Sequence, residues 1–176
     1  DAAGAVLADA ARSLEAAGAD FILLCTNTMH KVAANIEAAV AIPLLHIADA
    51  TAAAIKQAGC RRVGLLGTKF TMQQPFYRDR LSEQHGIEVV LPNEDEQDNL
   101  HRIIYQELCQ GVIDPESKQT VRKMMAGLAW QGVDGIILGC TEIGLLVGKA
   151  DAAVPLFDTT IIHAKAAVEL ALSDSK

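Results

Sequence analysis

Three apolar runs of the sequence each end in residues that can carry acid–base or anion-binding chemistry. The residues at these ends are Cys25, Thr26, Asn27 and Thr28, then Thr68 and Thr71, and then Cys140, Thr141 and Glu142. A cysteine thiol can exchange protons near neutral pH, and hydroxyl and amide groups can donate hydrogen bonds to a carboxylate. The three ends together predict a site for a small carboxylate ligand beside a cysteine acid/base.

Cys140 is the strongest single candidate for proton transfer. It follows the apolar run DGIILG and precedes a predicted short helix. Backbone N–H groups and the positive end of a helix dipole are expected to lower the thiol pKa from its ordinary value of about 8.5. The alternative is a buried, inert thiol, and Thr68 and Thr71 have the corresponding alternative of being helix N-caps.

The periodicity of the chain predicts elements that bring these residues together. Short apolar runs predict strands at 20–25, 43–47, 62–67, 87–91, 134–140 and 154–158. Helical spacing predicts helices at 2–17, 29–40, from the N-cap Asp49 to Gly59, through 76–84, 94–110, 116–131, a short one after 140, and a last one from Thr159. Alternating strands and helices are typical of α/β proteins with parallel sheets covered by helices.

Two segments of the chain resemble each other at a fixed distance. GADFILLCTNT at 18–28 and GVDGIILGCTE at 132–142 align without a gap at an offset of 114 residues, which places Thr26 opposite Cys140 and Cys25 opposite Gly139. Any two strand units that begin at a glycine turn look somewhat alike, so chance similarity is one interpretation. The other is a pair of equivalent lobes whose strand ends face each other across a cleft, where ligands bind in α/β sheets.

Charge and cysteine content exclude several classes of function. The chain has 176 residues and a formal net charge of -7, so no basic patch for nucleic acid and no polybasic membrane anchor is expected. No apolar stretch is long enough to span a membrane, and no signal peptide is evident at the start. The four cysteines show neither CxxC pairs nor zinc spacing, which indicates a reduced, cytoplasmic protein.

The isolated histidines and two of the cysteines carry no chemical signal in the sequence. His30 is predicted on a helix surface, and His46 in the core with its hydrogen bonds satisfied. No metal site is expected, because the possible ligands lack recognised spacing. Cys60 and Cys109 are interpreted as structural.

The motifs CTNTMHKVA, LLGTKFTM and GIILGCTEIGLLV, followed by PLFDTT, resemble the aspartate/glutamate racemase family over essentially the whole chain. The resemblance implies two pseudo-symmetric α/β lobes with the active site in the cleft between them, a homodimer, and catalysis without pyridoxal phosphate or another cofactor. Family members usually begin with a strand and a glycine-rich loop, so the N-terminal part of the first lobe is expected to be absent here. We assign 1–45 and 153–176 to the first lobe and 46–152 to the second.

The resemblance also implies roles for individual residues. In the family, two cysteines face opposite sides of the substrate α-carbon, and the second corresponds to Cys140. The first falls on Thr26, because Asn27, Thr28 and His30 fix the alignment of the motif. Cys25 lies one residue earlier, and since side chains alternate along a strand, it is predicted to point away from the site into the lobe.

The predicted function is racemisation of a free amino acid at the α-carbon. Cys140 acts as the thiolate acid/base and Thr26 relays a proton on the other face. The remaining predicted binding residues are Asn27, Thr28, Thr68, Thr71, Thr141 and Glu142. For an acidic substrate, a cation near Asp114 is expected, with Lys118 as the nearest candidate, although a broader substrate range stays open. The alternatives are a one-cysteine decarboxylase like arylmalonate decarboxylase and a non-catalytic amino-acid binder.

Overall fold

The computed structural model describes residues 2–173 and contains two parallel sheets. In the smaller sheet β1 (Ile22–Leu23) pairs with β2 (Leu44–Leu45). The larger sheet has the strand order β4-β3-β5-β6. Its strands are β3 (Arg62–Gly67), β4 (Glu88–Val90), β5 (Gly135–Gly139) and β6 (Leu156–Asp158). All of the described strand pairs are parallel.

Helices connect these strands and cover the sheets. They are α1 (Ala2–Ala16), α2 (Ala33–Glu37), α3 (Ile47–Gln57), α4 (Lys69–Gln73), α5 (Pro75–Asp79), α6 (Glu94–Gln106), α7 (Pro115–Trp130), α8 (Ile143–Leu146) and α9 (Thr159–Leu172). Short 3₁₀ segments occupy Thr28–Val32, Leu108–Gln110 and Lys149–Asp151, and a π-helical turn spans Arg80–Gln84. The predicted α/β class with parallel sheets flanked by helices is confirmed.

The central strands β3 and β5 form because their sequences are apolar on both faces. Every residue of β5 is buried, as are all residues of β3 after Arg62. A continuous apolar run of this kind is what a parallel strand covered by helices on both sides requires. The main hydrophobic core surrounds these two strands, and a second, smaller cluster around Ile22 and Ile36 lies beside β1.

The start of α3 differs from the prediction. Asp49 was expected to cap this helix, but α3 begins at Ile47, and the ring of His46 accepts the hydrogen bond from the amide of Ala48. The Asp49 carboxylate instead accepts hydrogen bonds from Arg80 at 2.7 and 2.6 Å and lies 2.8 Å from Nε2 of His85. Asp49 therefore ties α3 to the π-helical turn.

One part of the predicted lobe division is also corrected. We assigned residues from 153 onward to the first lobe, but β6 pairs with β5 and so lies in the larger sheet. A parallel strand pairs with whichever edge of a sheet is free. The order of the elements along the chain does not show that the edge of β5 is free for β6. The rest of the lobe division stays a prediction.

The carboxyl ends of β3 and β5 meet side by side. Gly67 and Gly139 are partners in the parallel register. A Cβ atom added to Gly67 would lie 3.1 Å from the carbonyl oxygen of Gly139 and 3.2 Å from the Cβ of Thr71, and one added to Gly139 would lie 3.1 Å from the carbonyl oxygen of Leu66. The two glycines thus permit a close approach where both strands end.

Within residues 2–173, none of the helices is long and apolar enough to cross a membrane.

Candidate active site

A cavity of about 270 Å³ opens beyond the carboxyl ends of the strands. It lies at the position where α/β proteins bind ligands. Its lining residues come from the segments after β1, β3 and β5 and from the end of α6. They are Cys25, Thr26, Asn27, Thr28, Thr68, Ile104, Tyr105, Cys109, Gly139, Cys140, Thr141 and Glu142. The structure therefore brings all three predicted strand ends to one cavity.

Three threonine hydroxyls form one wall of this site. The Oγ1 atom of Thr28 lies 3.3 Å from that of Thr68 and 3.3 Å from that of Thr71, and the last two are 3.2 Å apart. Thr71 does not itself line the cavity, but its hydroxyl completes the triangle. Thr68 also caps α4 by accepting a hydrogen bond from the amide of Thr71. The N-cap alternative thus holds for Thr68, and capping leaves its hydroxyl within the cluster.

Asn27 is buried and only partly satisfied. Its Nδ2 donates to the hydroxyl of Thr159 at 3.0 Å, and that hydroxyl donates to the carbonyl of Leu138 at 2.9 Å. Among residues 2–173, no group donates a hydrogen bond to Oδ1 of Asn27, although that atom is buried. A buried acceptor without a donor is costly, so this oxygen is suited to a donor supplied by a ligand.

Cys140 and Glu142 form a hydrogen-bonded pair. Cys140 is buried, and its thiol donates to Oε2 of Glu142 across 2.9 Å. Burial and this hydrogen bond raise the pKa of the Cys140 thiol far above its ordinary value. Partial burial raises the pKa of Glu142, but the hydrogen bonds that it accepts from Cys140 and Thr141 bring it below its ordinary value. The resting pair is a neutral thiol beside a carboxylate.

This result corrects the expected electrostatics of Cys140. A lowered thiol pKa was expected from the following helix, but α8 has only four residues and begins at Ile143. A single helical turn has a small dipole, which burial and a neighbouring carboxylate outweigh. Cys140 can still act as a base, provided that Glu142 first takes its proton.

Thr26 lies at the cavity wall in a turn rather than in a strand. Its amide donates to the carbonyl of Leu24 at 2.8 Å, and its own carbonyl lies 2.6 Å from Nδ1 of His30. His30 was predicted on a helix surface, but it is buried with 3% of its surface exposed. The 3₁₀ segment after Asn27 turns the ring inward, which helical periodicity alone did not show.

Cys25 does not point into the lobe as predicted. Its side chain is exposed, and it lines the same cavity as Thr26. The prediction relied on strand alternation through residue 25, whereas β1 ends at Leu23. Beyond that residue the chain turns, and alternation no longer decides which way a side chain faces.

The sequence analysis missed the contribution of α6 to the site. Ile104, Tyr105 and Cys109 line the cavity, and Cys109 is exposed rather than merely structural. Tyr105 also stacks on His101, with ring centroids 4.7 Å apart. Tyr105 lies in α6 and Cys109 in the 3₁₀ segment that follows it, so helical spacing in the sequence gave no signal for this pair. Cys60 is buried away from the cavity, as expected.

Lys118, the cation expected to bind an acidic substrate, lies outside the cavity. Asp114 caps α7 by accepting hydrogen bonds from the amides of Glu116 and Ser117. The Nζ atom of Lys118 pairs with the carboxylate of Asp151 at 3.0 Å. Neither Asp114 nor Lys118 lines the cavity. In the described part of the chain, no group of three or more His, Cys, Asp or Glu side chains is arranged to hold a metal ion.

Comparison with known proteins gives consistent matches. A crystal structure of a candidate Asp/Glu racemase from Yersinia pestis is 57% identical, with a TM-score of 0.93, over 97% of this chain and 74% of that one. The crystal structure of an aspartate racemase homologue from Pyrococcus horikoshii OT3 is 40% identical, with a TM-score of 0.86, over 96% of this chain and 74% of that one. The broad specificity amino-acid racemase RacX from Bacillus subtilis is 29% identical over 94% of this chain and 70% of its own length.

Arylmalonate decarboxylase shares the fold at 18% identity, with a TM-score of 0.62, over the whole of this chain and 78% of that one. At that identity the likeness concerns the fold alone. Residues 1–167 match the Asp/Glu/Hydantoin racemase family. The family match over nearly the whole chain, together with the parallel sheets and the cavity at their carboxyl ends, shows that this chain belongs to the Asp/Glu/Hydantoin racemase family.

Proposed function

We propose that the protein is an amino-acid racemase that works without pyridoxal phosphate and interconverts L- and D-enantiomers by proton transfer at the α-carbon. The observation that carries this proposal is that Thr26 and the hydrogen-bonded pair Cys140–Glu142 line one cavity beside a cluster of three threonine hydroxyls. Membership in the family supports the reaction class.

On one face of the substrate, Cys140 and Glu142 act together. The thiol proton passes to the Glu142 carboxylate, which costs free energy because the pKa of the thiol is raised and that of the carboxylate is lowered. The resulting thiolate removes the α-proton of the amino acid, and Glu142 then releases its proton to solvent. In the opposite direction the thiol gives its proton to the carbanion and is left as a thiolate, which regains a proton from solvent. The short hydrogen bond between the two side chains lets the proton move without rearrangement.

On the other face, Thr26 takes the place of the second acid/base. A threonine hydroxyl hardly ionises near neutral pH, so Thr26 relays a proton between the α-carbon and a water molecule. Proton transfer on this face is therefore slower. The two directions differ in kcat and in KM, while their kcat/KM values are equal. The equilibrium mixture stays 1:1, because enantiomers have equal free energies in water and a catalyst leaves the equilibrium unchanged.

The polar wall binds the groups that flank the α-carbon. The hydroxyls of Thr28, Thr68 and Thr71 now bond to one another. Those of Thr28 and Thr68 line the cavity and can rotate to donate to the substrate carboxylate, while that of Thr71 supports them from behind. These bonds strengthen as charge builds on the carboxylate oxygens during proton removal. The buried Oδ1 of Asn27 accepts from the substrate ammonium group. The amide of Thr141 lies at the strand end that carries Cys140 and assists in binding.

Hydrogen–deuterium exchange at the α-carbon tests the proposed function. The full-length protein is incubated in D₂O with a panel of L- and D-amino acids, and deuterium incorporation and chirality are followed by NMR and chiral chromatography. Racemisation predicts exchange that disappears in Cys140→Ser and persists in the control Cys60→Ser, whose sulfur lies outside the cavity. Full activity of Cys140→Ser would overturn the assignment.

A decarboxylase is the second candidate, because the resting Cys140 is a protonated thiol that could protonate one face of an enolate. Release of CO₂ from an arylmalonate, without exchange of amino acids, would favour it. Saturable amino-acid binding without any exchange would favour the non-catalytic binder.

The proposal includes Asp/Glu or a broader set of amino acids as substrates, since RacX, a relative at 29% identity, is named for broad specificity. It also includes a homodimer in the cytoplasm, where the four free cysteines stay reduced. Light scattering coupled to size-exclusion chromatography tests the dimer, and a monomer at working concentration would contradict it.

A further inference from the structure

Three buried histidines lie together behind the turn that carries Thr26. The rings of His30 and His46 have centroids 4.3 Å apart, and those of His30 and His163 are 6.0 Å apart. Each ring also contacts the backbone of a different segment. His46 accepts from the amide of Ala48, and Nε2 of His163 lies 2.8 Å from the carbonyl oxygen of Leu45. Of the three, His30 is the ring that reaches the active-site turn.

The hydrogen bonds of His30 fix its protonation state. Its Nε2 accepts from the amide of Ile47 at 3.2 Å and therefore carries no proton. Its Nδ1 lies 2.6 Å from the carbonyl oxygen of Thr26, and a carbonyl can only accept, so Nδ1 carries the proton. The neutral Nδ1–H tautomer is the only form that satisfies both contacts.

The bond to Thr26 replaces a backbone bond. In a regular α-helical turn, the carbonyl of residue 26 would accept from the amide of residue 30. Here the amide of His30 donates to the carbonyl of Asn27 at 3.1 Å, and the carbonyl of Thr26 accepts a hydrogen bond from the imidazole ring of His30 instead. The 3₁₀ segment therefore begins with a side-chain clamp, and this clamp joins the Thr26 turn to the first residue of α3.

We propose that His30 is a positioning residue for the Thr26 face of the reaction: its Nδ1–H holds the Thr26 peptide while its Nε2 is anchored on Ile47. The inference rests on the proposed racemase function. The Thr26 hydroxyl stays neutral, so it relays a proton only when it is well placed between the α-carbon and a water molecule. Its position therefore matters more for the rate than the position of the Cys140 thiol does. Small displacements of reacting groups can slow a step about a hundredfold.

Two substitutions separate the two bonds of His30. In His30→Asn the side-chain amide can still donate near the Nδ1 position, whereas in His30→Gln the longer side chain presents an acceptor near Nε2 and leaves the Thr26 carbonyl without its donor. His46→Asn is the matched control, because asparagine is a good N-cap and His46 makes no hydrogen bond to Thr26. For each variant, α-deuterium exchange is measured from the L- and from the D-enantiomer of the same substrate.

We expect His30→Gln to slow exchange on the Thr26 face by about 10–100-fold, with exchange on the Cys140 face changed less than about threefold. We expect His30→Asn to keep most of the exchange rate that His30→Gln loses. His46→Asn should leave the ratio of the exchange rates on the two faces unchanged. An unchanged ratio in His30→Gln, or an equal loss on both faces, overturns the inference. Absence of exchange in the unaltered protein overturns the proposed function and the inference together.

The tautomer can be checked without any variant. Long-range ¹H–¹⁵N correlation spectra of the unaltered protein should show His30 protonated at Nδ1 and unprotonated at Nε2 at pH 7. Protonation at Nε2 would remove the acceptor for Ile47 and overturn the clamp, even if a substituted protein failed to fold.

Discussion

The chemistry of the site depends on the pairing of one thiol with one carboxylate. Burial and the hydrogen bond to Glu142 together keep Cys140 protonated near neutral pH, and in the mechanism that we propose the same hydrogen bond is the route by which the proton leaves. A buried thiol without that neighbour would be the inert cysteine that sequence statistics favour. In the mechanism that we propose, the carboxylate two residues later is what distinguishes Cys140 from an inert buried thiol.

Glu142→Gln should remove most of the activity without preventing folding. Glutamine keeps the size of the side chain but cannot accept the thiol proton, and loss of general acid–base catalysis typically slows a reaction about 10²–10⁴-fold. The rates of exchange from both enantiomers measure the effect. Glu116→Gln, at an exposed position of α7, is the control. Near-normal exchange in Glu142→Gln would show that Cys140 ionises by another route.

Thr26→Cys should raise kcat/KM by about tenfold or more in both directions, because conversion in either direction includes one proton transfer on the Thr26 face, and a thiol can ionise near neutral pH whereas a hydroxyl cannot. Thr26→Ser keeps the hydroxyl and should stay within a few-fold of the unaltered protein in both directions. Rates of D-to-L and L-to-D conversion measured by chiral chromatography provide the comparison. If Thr26→Cys changes neither direction, Thr26 does not occupy the second acid/base position.

At the scale of elements, the junction of β3 and β5 determines whether the strand ends can meet. A Cβ atom on Gly139 would approach the side chain of Leu65 at 3.0 Å and the carbonyl of Leu66 at 3.1 Å, which is closer than packed atoms normally lie. Backbone atoms in a central strand cannot move aside easily. The absence of a side chain at this position therefore sets the distance between the two strand ends.

Gly139→Ala should lower the free energy of unfolding by about 1–3 kcal/mol, the range for overpacking in a core. It should also weaken substrate binding, because Thr71 packs against the same spot at 3.4 Å. Gly127→Ala is the control: nothing lies within 4 Å of its added Cβ, and in the last turn of α7 alanine should be neutral or stabilising. Urea unfolding measures the free energy of unfolding of both variants. Equal values for Gly139→Ala and Gly127→Ala would contradict the close approach of β3 and β5 at Gly139.

The sequence analysis predicted regular elements better than their ends. The run RVGLLG is apolar throughout, and β3 matches it residue for residue. The predicted helix at 94–110 covers α6 (Glu94–Gln106) and the 3₁₀ segment Leu108–Gln110. These features depend on neighbours in the chain, so local patterns suffice to predict them.

The predictions that were wrong concern residues whose partners lie far away in the sequence. Asp49 has the properties of an N-cap, but Arg80 and His85 attract its carboxylate from another segment. The burial of His30 depends on the amide of Ile47, seventeen residues away. The raised pKa of Cys140 depends first on burial. None of these contacts leaves a periodic signal in the sequence.

At the scale of the whole molecule, the three buried histidines make stability depend on acidity. Burial lowers the pKa of His30 to about 4 and that of His46 to about 3, and it also lowers the pKa of His163. In the unfolded chain these groups titrate near 6.5. Between pH 6.5 and pH 4 the unfolded state therefore binds more protons than the folded state, so stability falls as the pH falls through this window.

The free energy of unfolding should accordingly decrease on going from pH 7 to pH 5, with His30 alone contributing about 2 kcal/mol of the loss. Urea unfolding followed by circular dichroism at the two pH values measures the difference. His30→Asn cannot titrate and should show a smaller difference than the unaltered protein. Burial raises the pKa of Asp49, but hydrogen bonds from Arg80 and His85 outweigh it and lower the pKa to about 2. Asp49 therefore reduces the free energy of unfolding only below about pH 4, outside the measured range. A stability that is equal at pH 7 and pH 5 would mean that the histidines titrate in the folded protein as they do in the unfolded chain, and this would contradict their lowered pKa values.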